Sequence, residues 1–347
     1  MSDKKKLLHV LRKEQAGTIP FWFMRQAGRY LPEYKELRAT TKGFLDFCYS
    51  PEKASEATLQ PIRRFGMDGA IIFSDILVIP HKLGMDVRFE EGHGPVLTPL
   101  TSEKNLAALK LSSMVEKLEP VYEALRLTRA KLPAETALIG FAGAPWTLAC
   151  YMIEGSGSRD FQKVRLLSES NKPFFSKVID LLTEAVSQHA IKQIEAGAEV
   201  FQLFDSWSGV LSETQFEEWV IAPAQKIVAK IKAKYPKIPI IGFPRMAGMK
   251  YVEYTKYTGV DAVNIDGSVS LSMALEKLSP LCIIQGNLDP TVLAENKDAM
   301  LKQAKKIIDI FKDKPFVFNL GHGILPHTPI ENVQALSQFI KSYSLST

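Results

Sequence analysis

Pro20-Phe21-Trp22-Phe23-Met24-Arg25-Gln26-Ala27-Gly28-Arg29-Tyr30 is the stretch on which the fold turns. Its first half is apolar and aromatic over the length of a strand, which suits burial on both faces. Its second half switches to two arginines four residues apart, with Gly28 between them. A guanidinium does not shed its proton, so each needs a carboxylate, a phosphate or water. Two roles are open to such a pair: an anion clamp for a ligand, or a network with the protein's own Asp and Glu.

The same grammar recurs along the chain. Ala70–Phe73, Ala137–Phe141, Val200–Phe204, Ile238–Phe243, Ala262–Ile265, Cys282–Gln285 and Phe316–Leu320 are further apolar runs. Helix-patterned stretches separate them: Glu52–Phe65, Val115–Lys131, Lys177–Ala196, Glu213–Tyr235, Met249–Thr258, Ser270–Leu278 and Asn296–Phe311. Gly66, Pro133, Gly197, Pro236 and Gly259 supply stop signals. With the opening run included there are eight strand–helix alternations, the number that closes a (β/α)₈ barrel. The chain is therefore expected to be α/β: a single (β/α)₈ TIM barrel over residues 1–347, with a parallel eight-stranded core and insertions in the early units. A doubly wound open sheet is the runner-up. It usually carries G-x-G-x-x-G after its first strand, and Gly155-Ser156-Gly157 lacks both the third Gly and a strand immediately before it.

Hydrophobic content of 46% and charged content of 23% are ordinary for a globular protein. The net charge of +5 is spread rather than gathered in a stripe, which argues against nucleic acid and favours attraction of a small polyanion. Cys48, Cys150 and Cys282 are too scattered for a disulfide framework and read as buried thiols in a reducing compartment. Ser2-Asp3-Lys4-Lys5-Lys6 leads into an apolar patch too short for a secretory signal, and no run reaches membrane-spanning length. A cytoplasmic enzyme is expected, without membrane association.

A barrel builds its active site at the C-terminal ends of its strands. Polar or small residues follow every run: Arg25 and Arg29, Ser74-Asp75, Ala142-Gly143-Ala144 with Tyr151 further on, Asp205-Ser206, Pro244-Arg245, Asp266, Asn287 with Asp289, and Gly321-His322-Gly323. Asp75 stands out, because it sits between an apolar strand and Ile76-Leu77-Val78-Ile79, and a carboxylate in such company is costly unless paired. It either pairs with Arg25 or Arg29, or faces the mouth to meet a positive charge or N–H donors. His322, between glycines, can be approached closely. H-x-C, H-E-x-x-H, G-x-S-x-G and phosphate-loop motifs are all missing, so metal and serine-nucleophile chemistry are not expected.

These residues resemble a known family. Pro20–Arg29 resembles the N-terminal signature of the uroporphyrinogen decarboxylase family, and Gly140–Gly155 (Gly-Phe-Ala-Gly-Ala-Pro-Trp-Thr-Leu-Ala-Cys-Tyr-Met-Ile-Glu-Gly) resembles its second signature. Phe73-Ser74-Asp75-Ile76, Phe204-Asp205-Ser206-Trp207 and Asn319-Leu320-Gly321-His322-Gly323 fit the same family, and the match runs over essentially the whole chain. The resemblance implies a homodimeric barrel without metal or organic cofactor. It implies removal of the four acetate carboxyls of uroporphyrinogen III to give coproporphyrinogen III in haem and tetrapyrrole synthesis. Carried over by motif, Arg25, Gln26, Ala27, Gly28, Arg29, Asp75, Phe141, Tyr151, Ser206 and His322 look like substrate-binding residues, with Asp75 and Arg25 catalytic. The resemblance leaves contacts from the segment Gly43–Phe47 open. Three alternatives compete: a related barrel methyltransferase using a corrinoid or thiol, a barrel enzyme acting on a sugar phosphate, and a tetrapyrrole carrier. The first would carry zinc held by Cys and His, which the scattered cysteines disfavour. The second leaves Asp75 repelling its own ligand. Release of CO₂ separates the third.

Overall fold

Alternate residues of each apolar run go to two different cores, and that partition sets the architecture. In the computed structural model, which describes residues 5–14, 19–90 and 94–343, the strands are β1 (Gly69–Ile71), β2 (Val87–Glu90), β3 (Gly94–Leu97), β4 (Ala137–Gly143), β5 (Val200–Asp205), β6 (Ile240–Pro244), β7 (Ala262–Asn264), β8 (Ile283–Leu288) and β9 (Phe316–Leu320). Seven form one parallel sheet in the order β1-β4-β5-β6-β7-β8-β9. Ala137, Ile139, Val200, Ile241, Phe243, Ala262, Ile283 and Val317 share one apolar cluster, while Leu138, Phe201, Leu203, Ile240, Val263, Ile284, Phe316 and Phe318 belong to another packed beneath the helices. A flat sheet has two equivalent faces. Here one face closes on itself around a small core, so the sheet is curled with an inside.

Helices cover the outside. Pro51–Phe65 ends at left-handed Gly66, and Lys172–Glu195 runs to the turn at Gly197. The expected helix Val115–Lys131 is divided into Met114–Lys117 and Glu119–Lys131, because Pro120 has no N–H to continue the ladder and fits best in a first turn. The expected early insertion is the antiparallel hairpin β2–β3, pinned to the sheet side by Leu97 N donating to Gly155 O at 2.7 Å. All three cysteines are buried and free.

The opening run departs from expectation. Phe21–Met24 forms a single parallel bridge, Phe21 to Phe318, rather than a regular strand. Phe318 N donates to Pro20 O at 2.9 Å on one side, and Asp68 N donates to Phe21 O at 2.9 Å on the other. Side chains then take over the backbone donors that a ladder would use. Phe21 N donates to Asp68 Oδ2 (3.0 Å), Phe23 N to Gln26 Oε1 (3.1 Å) and Met24 N to Asn319 Oδ1 (3.2 Å). Buried backbone groups must be satisfied, and these polar side chains do it without a neighbouring strand. The run still alternates: Trp22 and Met24 lie in the inner cluster, Phe21 and Phe23 in the outer.

Inside the curl the layers change character from bottom to top. The helix Lys6–Leu11 brings Leu7, Leu8, Val10 and Leu11 into the inner cluster. Leu7 lies so near Gly69, the first residue of β1, that a Cβ there would meet it at 2.9 Å. The helix therefore caps the end where the strands begin. Above it, Gln202, Asn264, Gln285 and Asn319, all fully buried, form an amide layer. Trp22 Nε1 donates to Gln285 Oε1 (2.9 Å), and Gln285 Nε2 donates to Gln202 Oε1 (3.1 Å) and Asn264 Oδ1 (2.9 Å). Asn319 Oδ1 accepts from Met24 N, while its Nδ2 has no partner among the described residues. Replacing Asn319 by Ala leaves the Met24 N–H orphaned, which should cost about 2 kcal/mol. Urea unfolding is the measurement, and a loss under about 0.5 kcal/mol would show that the opening run does not depend on this bond.

Candidate active site

Because the sheet is parallel, every strand's C-terminal end opens on the same side. Asp75, Ser206 and His322 follow such strands, Phe141 lies in the C-terminal half of β4, Arg25 follows the opening run that bridges in parallel to β9, and Tyr151 sits in the helix Pro145–Glu154 after β4. The guanidiniums and the lone carboxylate therefore share one mouth.

Arg25 is delivered by a tight turn. Gln26 N donates to Phe23 O at 3.0 Å, and Arg25, third in the turn, has φ of +59°. That position normally calls for Gly or Asn, so a bulky residue there is held under strain of order 1–3 kcal/mol. The Gln26 side chain is spent inside the fold: Oε1 accepts from Phe23 N, and Nε2 donates to Gly69 O at 3.1 Å. Tyr30 Oη donates to Gln26 O at 2.8 Å and fixes the exit. Ala27 and Gly28 are half-buried and Arg29 is exposed. Gly323 acts as a bed for Arg25, since a Cβ there would lie 2.3 Å from Arg25 Cδ.

Asp75 is half-buried, and its Oδ1 accepts from Leu77 N at 2.8 Å. Among the described residues no ion pair within 4.0 Å joins it to Arg25 or Arg29, so the structural pairing weighed from the sequence is not made. Burial pushes its pKa up, opposed by the Leu77 N–H and by Arg25. Arg25 keeps an exposed face, yet the protein around its guanidinium lowers its pKa by desolvation, although Asp75 and Tyr151 favour its charge; Arg29 and Arg245 oppose it. His322, half-buried, has its pKa lowered to about 3 by burial and then by Arg25 and Arg245, so it is neutral at physiological pH. Burial raises the Tyr151 phenol. These influences place Asp75, Tyr151, Arg29, Arg245 and His322 each within electrostatic reach of Arg25.

Beneath them lies an aromatic layer. Phe141 meets Phe204 edge to face (5.7 Å, 90°), and Phe204 meets Phe243 (6.1 Å, 70°). Ser206 is half-buried just beyond β5. Its neighbours are fixed by Thr147, whose hydroxyl donates to Asp205 Oδ1 (2.5 Å) and accepts from Trp207 N (3.2 Å). Burial raises the Asp205 pKa to about 7. Two members of this mouth, Phe204 and Arg245, stood outside the candidates drawn from the sequence. The period-two alternation of β5 and β6 was the signal that could have found them: Val200, Gln202 and Phe204 share one face, as do Ile241, Phe243 and Arg245.

Fold and site define an α/β protein whose curled parallel sheet carries arginines and one unpaired carboxylate above a layer of phenylalanines. The particular family follows from comparison with known proteins. The sequence model described as "Uroporphyrinogen decarboxylase (URO-D)" matches residues 2–343, and the chain belongs to that family. It is 48% identical over 339 residues to the uroporphyrinogen decarboxylase of Rickettsia conorii, covering 98% of this chain and 97% of that protein. It is 47% identical to that of Rhodospirillum rubrum with the same coverage. Among solved structures, a methyltransferase from Methanosarcina mazei superposes with a TM-score of 0.80 over 97% of this chain and 98% of that one. At 19% sequence identity that likeness shows the fold alone.

The raised pKa of Asp75 fixes a sign. The folded chain binds that proton more tightly than the unfolded chain, so folding loses stability as pH rises above the ordinary carboxylate range. Asp75→Asn should therefore raise the urea midpoint at pH 7, with the gain shrinking towards pH 4. Equal or lower stability at pH 7 would contradict a carboxylate held at the fold's expense.

Proposed function

We propose that this chain is a carboxy-lyase that removes the four acetate carboxyl groups of uroporphyrinogen III, giving coproporphyrinogen III without a metal or organic cofactor. The observation that carries the reading is a half-buried carboxylate left unpaired beside arginines, in a member of this family. The substrate's chemistry complements it. Its carboxylates answer the guanidiniums, its pyrrole rings answer the Phe141–Phe204–Phe243 floor, and its inward N–H groups answer one carboxylate.

In this mechanism Asp75 accepts hydrogen bonds from the pyrrole N–H groups. Protonation of the ring carbon next to an acetate arm makes the ring a cation. The C–CO₂ bonding pair then flows into that cation, CO₂ leaves, and a second proton converts the exocyclic methylene to methyl as the ring carbon loses its own. A fixed carboxylate in a site of low dielectric stabilises the developing cation. Arg25 holds the reacting arm and helps bring the proton; Arg29 with the backbone of Gln26, Ala27 and Gly28 holds its neighbours. Tyr151, Ser206 and neutral His322 donate hydrogen bonds to acetate and propionate arms, and Phe141 walls the pocket.

The same reading extends to architecture. The Phe21–Met24 run is the eighth stave: it bonds towards β9 and towards the entry to β1, and it alternates between inner and outer cores. That makes residues 1–347 one (β/α)₈ barrel domain. It works as a homodimer in the cytoplasm; no helix of the described residues is long and apolar enough to cross a membrane.

Anaerobic incubation with uroporphyrinogen III, with carboxyl groups counted by mass spectrometry, should show stepwise loss of four CO₂. Absence of CO₂ would overturn the reading and favour a carrier. Asp75→Asn should lower kcat by at least about 100-fold, and near-normal turnover would remove Asp75 from the mechanism. Gly323→Ala should dislodge Arg25 and raise KM roughly tenfold while the melting temperature stays within about 2 °C, since only a flexible side chain must yield. An unchanged KM would show that Arg25's resting place does not matter.

A further inference from the structure

We infer that Arg245 is a third anion-binding residue of this site, receiving a carboxylate on the edge of the macrocycle remote from Asp75. The inference rests on the decarboxylase reading above and deepens it.

Three observations carry it. The first is placement. β6 is the middle strand of the seven, with β1 at one edge and β9 at the other, and the Arg25 run lies between those two edges. Arg245 thus enters the mouth from the side opposite Arg25. Inward alternation of Ile241 and Phe243 carries Arg245 to the rim above the aromatic floor. The second is that its charge is unanswered. Among the described residues its side chain has no ion pair within 4.0 Å and no hydrogen bond. The carboxylate next along the rim is already committed, because Asp266 Oδ2 accepts from Met246 N (2.5 Å) and Tyr251 Oη (3.2 Å), and Oδ1 from Ser268 N (2.7 Å). The third is that the segment is built to hold still. Arg245 N donates to Asp205 O at 3.0 Å, and Met246 takes φ of +62°. Gly209 packs so closely that a Cβ would meet Met246 O at 2.6 Å. The reach of this charge to Arg25 and His322 fits the same placement. A guanidinium that is half-buried and unpaired, carried on a pinned backbone, is complementary to an anion that has yet to arrive.

A macrocycle with carboxylates all round its rim needs a hold on its far side, or it pivots about Asp75. Acetate and propionate are both available at that edge, and the test separates them. Arg245→Gln and Arg245→Lys are compared with the parent for uroporphyrinogen III turnover and for anaerobic equilibrium binding of uroporphyrinogen III and coproporphyrinogen III. Arg245→Gln should raise KM and the uroporphyrinogen dissociation constant roughly tenfold or more, with a smaller change in kcat. Arg245→Lys should show an intermediate rise, because charge survives while two-pronged geometry is lost. Equal weakening for both tetrapyrroles means that propionate is held; weakening for uroporphyrinogen alone means acetate. Unchanged binding of both would overturn the inference, as would a loss confined to kcat or matched by a collapse of the melting curve in both variants. A parent protein that binds both compounds yet releases no CO₂ would refute the proposed reaction, while the Arg245 comparison would still be read from binding.

Discussion

An arginine side chain holds its charge whatever surrounds it, and the upper half of this molecule is arranged around that fact. Arg25, Arg29 and Arg245 face one opening, and among the described residues no carboxylate is locked onto any of them. Left to itself, such a trio would recruit acids from nearby loops. The fold keeps the nearest ones occupied. Asp266 is occupied by backbone N–H groups and a tyrosine, and Asp75 by Leu77 N. Arg25 is kept in place by a left-handed turn and by the absence of a side chain at Gly323. Stability is given up locally so that the charges stay available.

The interior below makes that availability effective. Leucines and valines close the bottom, amides cross-link the staves, and three phenylalanines separate the amides from the charged rim. Gln285 ties Gln202 to Asn264, and the remaining bonds of the amides go to Trp22, Met24 and backbone groups, so the layer cross-links neighbouring strands. The phenylalanines put a low-dielectric slab directly under the carboxylate and the guanidiniums, which strengthens any charge interaction made above it. The neutrality of His322 belongs to the same arrangement: its ring can donate a hydrogen bond without adding a further positive charge to a crowded rim.

Much of this was legible from residue order alone. Continuous apolar runs announced strands buried on both faces, and glycines and prolines marked where helices stop. The isolation of Asp75 among Ile and Leu was visible, as was the oddity of two arginines after an aromatic strand. Other features were hidden for physical reasons. Phe21–Met24 reads like any strand, because the partners that replace its ladder, Asp68 and Asn319, are distant in sequence and ordinary in type. Gln26 looked like a ligand contact, yet its side chain is consumed by Phe23 and Gly69, and hydrogen-bond direction leaves no trace in composition. Arg245 followed a strand like several other polar residues. Only the strand order, which sets it across from Arg25, distinguishes it.

The short helix Lys6–Leu11 has a bearing on molecular traffic. It closes the last of a stack of packed layers, apolar, amide and phenylalanine, and the inside of the sheet is a blind alley rather than a tunnel. Whatever goes in must back out through the doorway it entered, and any gas set free has to escape past the same occupant. Newcomer and departing guest therefore contend for one threshold.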